Sequence, residues 1–165
     1  MGASGARRAV RFAQAIEKID LPVELVIGIG QNAKLHDDLL KLPCSSRVSR
    51  HIIGYTPRIA DLMGVADLLV TKAGPSTIFE AIHRDLPMVI DNATRIIRWE
   101  EMNVSFVKEH GLGAVMRRTE NLPHLIYRHL LDDAYRVGIQ RNFASFDKRR
   151  FREEFQRLVT DIIGS

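Results

Sequence analysis

The residues best suited to chemistry follow a short apolar segment near the middle of the chain. Ala66 to Val70 predicts a buried strand. A Gly-Pro turn and the start of a predicted helix come next, formed by Gly74, Pro75, Ser76 and Thr77. A strand that turns through glycine into a helix places free backbone N–H groups and the positive end of the helix dipole together. This arrangement suits a phosphate, and the carboxylate of Glu80 beside it suits the hydroxyls of a ribose.

A purely structural interpretation of the same residues stays open. Thr77 and Glu80 have the spacing of a capping box, in which the two side chains satisfy the free donors at a helix start. Such boxes are common at helix N-termini. This segment alone therefore favours neither a ligand site nor a capped helix.

Other motifs with possible chemistry are weaker. Gly28 to Ala33 matches the dinucleotide pattern G-x-G-x-x-A, but the next predicted strand ends at Gly54 without the acidic residue that would hold a ribose, so we predict a plain tight turn. The sequence has no Asp-x-Asp pair, no Gly-Lys-Ser/Thr phosphate loop and no nucleophile elbow around Ser76. Its histidines are scattered and Cys44 is its single cysteine, so we expect no metal and no cofactor.

Composition narrows the class of protein. The 165 residues are 45% hydrophobic and 27% charged, as in one globular domain spanning residues 1–165. The net charge of +4 comes from arginines interspersed with acids, and Tyr and Trp total four, so we expect no nucleic-acid partner. The sequence has no membrane-length apolar run and no secretion signal, which favours a cytoplasmic location.

The elements that must position these residues alternate along the chain. Strands are predicted at Val23–Ile29, Val48–Ile53, Ala66–Val70, Pro87–Asp91 and Gly113–Met116. Helices are predicted at Gly5–Ile19, Asn32–Lys41, Pro57–Met63, Ser76–Arg84, Trp99–His110 and from about Leu122 to Ile163. This order predicts an α/β fold with a Rossmann-like, doubly wound parallel sheet.

The beginning of the chain is unusual for such a fold. A glycine-containing turn, Gly2 to Gly5, leads into the first helix with no strand before it. In a doubly wound sheet that turn follows the first, central strand. We therefore expect that strand to be absent and the chain to start at an internal methionine of a longer protein. The alternative is a first helix that packs on a five-stranded sheet.

Several segments together resemble the C-terminal, donor-binding half of GT-B glycosyltransferases related to MurG and monogalactosyldiacylglycerol synthase. The segments, in chain order, are Met1–Gly5, Ile53–Tyr55, Met63–Asp67, Thr71–Ala81, Leu86–Ile90, Glu100–Val104 and Gly111–Gly113. The Thr-Lys-Ala-Gly-Pro stretch is closer to the diacylglycerol glycosyltransferases than to MurG. The resemblance implies the GT-B C-terminal fold and a UDP-sugar donor bound without metal.

The resemblance also implies roles for individual residues. Glu80 would accept hydrogen bonds from the ribose hydroxyls, and Glu100 would lie near the hydroxyls of the sugar. The diphosphate would be held in two places: by the backbone N–H groups around Gly74, Pro75, Ser76 and Thr77, where the proline itself has no N–H to donate, and by the opening turn with Gly2, Ser4 and Gly5. The backbone near Tyr55 and Thr56 would read the uracil.

The chain departs from the family pattern at two places. Trp99 stands where family members usually carry a glutamine that contacts the donor sugar. In the opening turn, Met1 and Ala3 replace glycines.

The predicted function is donor binding in an inverting transferase that moves a hexose from a UDP-sugar to a lipid acceptor such as diacylglycerol. The catalytic base and the acceptor site would belong to an absent N-terminal domain or to a partner subunit, so we expect this chain alone to be inactive. That other half would reach a membrane surface. The alternatives are the donor subunit of a split N-acetylglucosaminyltransferase and a degenerate domain that serves only as an interaction module.

Overall fold

Strands and helices alternate along the chain, as the sequence predicts. The computed structural model describes residues 3–93, 98–146, 157 and 160. The strands are β1 (Val23–Gly30), β2 (Val48–Gly54), β3 (Leu69–Lys72), β4 (Met88–Asp91) and β5 (Gly113–Met116). The helices are α1 (Ala3–Ile16), α2 (Ala33–Leu40), α3 (Ile59–Val65), α4 (Pro75–His83), α5 (Arg98–Glu109), α6 (Leu122–Leu131) and α7 (Asp133–Ala144), with a 3₁₀ turn at Thr119–Asn121.

In the described part of the chain, all pairs of neighbouring strands are parallel, and the strands form two sheets. β1 pairs with β2, while β4 lies between β3 and β5. Within the described ranges, no strand lies between β1 and β3, and no ladder of hydrogen bonds joins them. The predicted α/β class with parallel strands is confirmed.

Helices cover the sheets with three clusters of buried apolar side chains. One cluster joins α4, α5 and α7 to one face of the β3–β4–β5 sheet, with Phe143 and Ile90 fully buried. A second joins α1 and α6 to residues of both sheets, and a third joins α1 and α2 to β1. Burying large aliphatic side chains on both faces is the expected requirement of a parallel sheet. No helix in the described part of the chain is long and apolar enough to cross a membrane.

The start of β5 depends on a close approach between neighbouring strands. A Cβ on Gly113 would collide with the backbone of Met88, its partner in the ladder. Gly28 in β1 differs, because a Cβ there would meet no atom within 4 Å. Packing therefore requires glycine at position 113, where β4 and β5 meet, but does not require it at position 28.

Two predicted elements start two or three residues later in the structure than in the prediction. The helix predicted from Pro57 begins at Ile59, since Thr56 Oγ1 accepts the Arg58 N–H at 3.1 Å and holds the preceding residues in a turn. The strand predicted from Ala66 begins at Leu69, which pairs with the first residue of β4. The ends of a strand depend on the partner strand with which it pairs, and the sequence of one segment does not show where that pairing begins.

The opening turn is also shorter than predicted. Helix α1 begins at Ala3, so Ser4 and Gly5 lie in its first turn rather than in a loop before it. Gly2 lies outside the described residues. The first N–H groups of a helix have no intrahelical acceptor, so Ser4 and Gly5 still carry donors that a ligand could use.

Candidate functional site

The N-terminus of α4 has free backbone donors. Gly74 is the N-cap residue, with φ −72° and ψ 129°, and Pro75 is the first helical residue. The Ile78 N–H reaches the Gly74 carbonyl at 3.2 Å, while Ser76 and Thr77 lie ahead of that first helical bond. No side chain caps the helix. Two N–H groups therefore point out of the positive end of α4, a geometry that binds anions.

The capping-box interpretation of Thr77 and Glu80 is wrong. Because Pro75 starts the helix, Thr77 is its third residue and Glu80 its sixth, and the first turn holds no acidic residue. Proline at this position has its φ angle already set for a helix, which explains the earlier start. Glu80 is exposed and has no hydrogen bond or ion pair with any other described side chain. Its carboxylate is free to accept hydrogen bonds from a ligand.

The N-terminal half of α5 is attached to the end of β3 and to the β3–α4 turn by two contacts. Asn103 donates from Nδ2 to the Ala73 carbonyl at 2.8 Å. Lys72 Nζ lies 3.8 Å from Glu100 Oε1, and the Glu100 side chain is only 16% exposed. These contacts place the Glu100 carboxylate beside the residues that lead into α4.

A partly buried ion pair brings α1 to the same sheet edge. Lys72 and Asp91 are register partners at the carboxyl ends of β3 and β4. Arg8 Nη1 donates to Asp91 Oδ2 at 2.7 Å, and the Asp91 side chain is 1% exposed. Gly5 precedes Arg8 by three residues, about 4.5 Å along a helix. The first turn of α1 is therefore near the edge from which α4 starts.

Other predicted site residues are not joined to this group by described contacts. Tyr55 and Thr56 follow the carboxyl end of β2, in the other sheet. Tyr55 is 76% exposed, and no described hydrogen bond connects either residue to α4 or α5. The backbone of Trp99 lies in the first turn of α5, and its side chain is outside the described part of the chain.

The structure adds three residues to the candidate site that had no predicted role. Lys72 and Asn103 belong to segments that carried the resemblance. Their position in those segments was the available signal that they lie near the donor site. Arg8 gave no such signal, because nothing in the sequence links it to Asp91, 83 positions later.

The turn predicted at Gly28–Ala33 is confined to Gln31 and Asn32, between β1 and α2. β1 continues to Gly30, which has a positive φ of 60°. Asn32 Oδ1 accepts the Leu35 N–H at 3.0 Å and caps α2. A donor at this helix start is thus already satisfied by the chain itself.

Comparison with known proteins extends the resemblance over most of the chain. It is 25% identical over 162 residues to a processive diacylglycerol beta-glucosyltransferase of Bacillus pumilus (strain SAFR-032), covering 98% of this chain and 41% of that protein. It is 30% identical over 122 residues to a probable chloroplastic monogalactosyldiacylglycerol synthase of Glycine max, covering 73% of this chain and 22% of that protein. The chain thus spans less than half the length of these relatives.

The fold has a solved counterpart as well. The crystal structure of Acinetobacter baumannii MurG superimposes with a TM-score of 0.64 at 15% identity, over 81% of this chain and 41% of that one. The sequence model of the glycosyltransferase family 28 C-terminal domain matches residues 2–136, which include α1, the β3–α4 turn and α5. On that match, the chain belongs to the glycosyltransferase family 28 C-terminal domain family.

Proposed function

We propose that this chain is the donor-binding half of an inverting glycosyltransferase that takes a UDP-sugar and serves a lipid acceptor. Family membership supports the transferase class, and the names of the two relatives, which act on diacylglycerol lipids, support the acceptor class. The observation that carries donor binding is the start of α4. There, uncapped N–H groups and the free carboxylate of Glu80 lie on one helix.

The donor would lie across the carboxyl ends of β3 and β4. The N–H groups of Ser76 and Thr77, with those in the first turn of α1, would hold the diphosphate. Glu80 would accept the ribose hydroxyls. Its Cα lies about 6 Å along the helix from that of Ser76, a spacing that separates a phosphate subsite from a ribose subsite.

The ends of the donor would meet two further groups. The backbone at Tyr55 and Thr56 would bind the uracil, and the exposure of Tyr55 leaves this end open to a base. Glu100 and Trp99, in the first turn of α5, would face the sugar. A carboxylate next to a hexose accepts hydrogen bonds from its hydroxyls, which gives specificity at this end.

The reaction step supported by this half is departure of the nucleotide. Negative charge develops on the UDP as the bond to the sugar breaks. Preorganised N–H groups at helix N-termini stabilise that charge without needing a metal ion. The catalytic base and the lipid acceptor would come from another domain or subunit, which would also contact the membrane surface. Alone, the chain would bind nucleotide and transfer nothing.

Isothermal titration of UDP and 2′-deoxy-UDP into the full chain tests this proposal. We expect wild type to bind UDP more tightly than the deoxy compound, because the Glu80 carboxylate would accept a hydrogen bond from the 2′-hydroxyl that the deoxy compound lacks. Glu80→Ala should weaken UDP binding by about tenfold and abolish the difference between the two ligands. Glu109→Ala is the matched control, since it removes an exposed glutamate from α5 and should bind both ligands as wild type does.

Two outcomes would contradict the proposal. Absence of UDP binding at millimolar concentration by a folded chain would favour the degenerate interaction domain. Binding that Glu80→Ala leaves intact would place the nucleotide elsewhere.

A further inference from the structure

Lys72 lies at the end of β3, directly before the turn that opens α4. Its side chain bends over that turn, because Lys72 Cε is 3.9 Å from the position that a Cβ on Gly74 would occupy. The ammonium group ends 3.8 Å from Glu100 Oε1. Lys72 therefore connects the start of α4 with the first turn of α5.

The two members of this pair differ in their environment. The Lys72 side chain is 60% exposed, whereas that of Glu100 is 16% exposed. A carboxylate with so little access to water needs a compensating charge. Lys72 is the one cation that contacts it within the described residues. The adjacent Glu101 is exposed and has no such partner in the described part of the chain.

The separation of the two groups is informative. At 3.8 Å, the ammonium compensates charge without forming a direct hydrogen bond to Oε1. No described group donates a hydrogen bond to the Glu100 carboxylate. Its acceptor positions thus remain available to a ligand while its charge and direction are fixed from one side.

We propose that Lys72 is a positioning residue that holds the Glu100 carboxylate beside the β3–α4 turn, where it accepts hydrogen bonds from the hydroxyls of the donor sugar. This inference rests on the proposed function. It adds that Lys72 determines how much the hexose contributes to binding beyond the UDP moiety. Asn103 supports the arrangement, because its bond to Ala73 fixes α5 against the same turn.

The test compares UDP with UDP-glucose and UDP-galactose as titrants of the full chain, and the quantity measured is the ratio of UDP-hexose affinity to UDP affinity. Lys72→Met keeps the length of the side chain and removes its charge. We expect it to lower the ratio about five- to tenfold for the preferred hexose and to leave UDP affinity unchanged. Glu100→Gln should lower the ratio similarly, and the double variant should lower it no further.

Two controls separate positioning from folding and from general charge effects. Lys72→Arg keeps the positive charge and should retain most of the ratio, while its thermal unfolding matches that of Lys72→Met. Lys108→Met removes an exposed lysine from the last turn of α5 and should leave the ratio as in wild type.

The failures are distinguishable. Wild type that binds no UDP overturns the proposed function and this inference with it. If UDP binds as proposed but the ratio is unaffected by Lys72→Met or by Glu100→Gln, only the inference is overturned. Equal losses of UDP and UDP-hexose affinity in Lys72→Met also overturn it, because Lys72 would then contact the diphosphate itself.

Discussion

Gly74 begins α4 without a side chain that could cap it. Two other helices have side-chain caps, since Asn32 accepts the Leu35 N–H at the start of α2 and Asp132 accepts the Tyr135 N–H at the start of α7. Helices α3 and α6, like α4, have none. A residue that caps a helix uses the donors that an anion would need. Glycine at this position forgoes that stabilisation, which is consistent with a start of α4 that is reserved for a ligand.

Gly74→Ser tests this interpretation at a single residue. The backbone angles of Gly74 are those that serine adopts at an N-cap, so the Gly74→Ser variant should fold. Its free energy of unfolding should rise by about 0.3 kcal/mol. The serine Oγ would accept an N–H of Ser76 or Thr77, and UDP affinity should fall. Urea unfolding and isothermal titration measure the two effects.

Asn32→Gly is the complementary control. It removes a cap from α2 and should lower the free energy of unfolding by about 0.3 kcal/mol without changing UDP affinity. If Gly74→Ser bound UDP as tightly as wild type, the donors at the start of α4 would not contact the ligand.

At the scale of elements, the β3–β4–β5 sheet depends on a contact that only glycine permits. A methyl group on Gly113 would force the backbone of Met88 away and strain the centre of the sheet. We expect Gly113→Ala to lower the free energy of unfolding by about 2–3 kcal/mol, measured as a shift of the urea midpoint at constant m. Gly28→Ala, in open space in β1, should change it by less than about 0.5 kcal/mol. Equal effects of the two variants would mean that strand propensity rather than contact sets the cost.

The ends of the strands in this sheet differ in how well the sequence predicts them. The predicted bounds of β5 are the observed ones, since Gly113 and the polar residues after Met116 mark both ends locally. The start of β3 differs from its prediction, because pairing with Met88 determines it. The residue types from Gly74 to Glu80 fit both an anion and ribose site and a capped helix, and the observed helix start at Pro75 is what rules out the capping box. The contacts of Lys72, Asn103 and Arg8 depend on how distant elements pack, which no local pattern encodes.

At the scale of the whole molecule, α1 connects the two sheets. The cluster that it forms with α6 includes Val48 of β2, Val89 of β4 and Met116 of β5. Arg8 adds a directional link to the end of β4, through its ion pair with the buried Asp91. Asp91 Oδ1 also accepts the Ala93 N–H at 3.0 Å, so this carboxylate is held from two sides. The helix that would supply diphosphate donors is thereby fixed relative to the start of α4.

Arg8→Met should disturb both stability and binding. The variant keeps most of the apolar stem but leaves the Asp91 carboxylate buried with no cation. We expect the free energy of unfolding to fall by about 2 kcal/mol, less than for a fully buried pair because the Arg8 side chain is 28% exposed. UDP affinity should fall too, measured where the variant is still fully folded, because the first turn of α1 loses its attachment. Arg11→Met, which removes an exposed arginine from the same helix, should alter neither quantity.

Adding Asp91→Asn to Arg8→Met should recover part of the lost stability, since no uncompensated charge then remains. It should not recover UDP affinity, because the link between α1 and β4 is still broken. Recovery of both would show that the buried charge, rather than the placement of α1, governs donor binding.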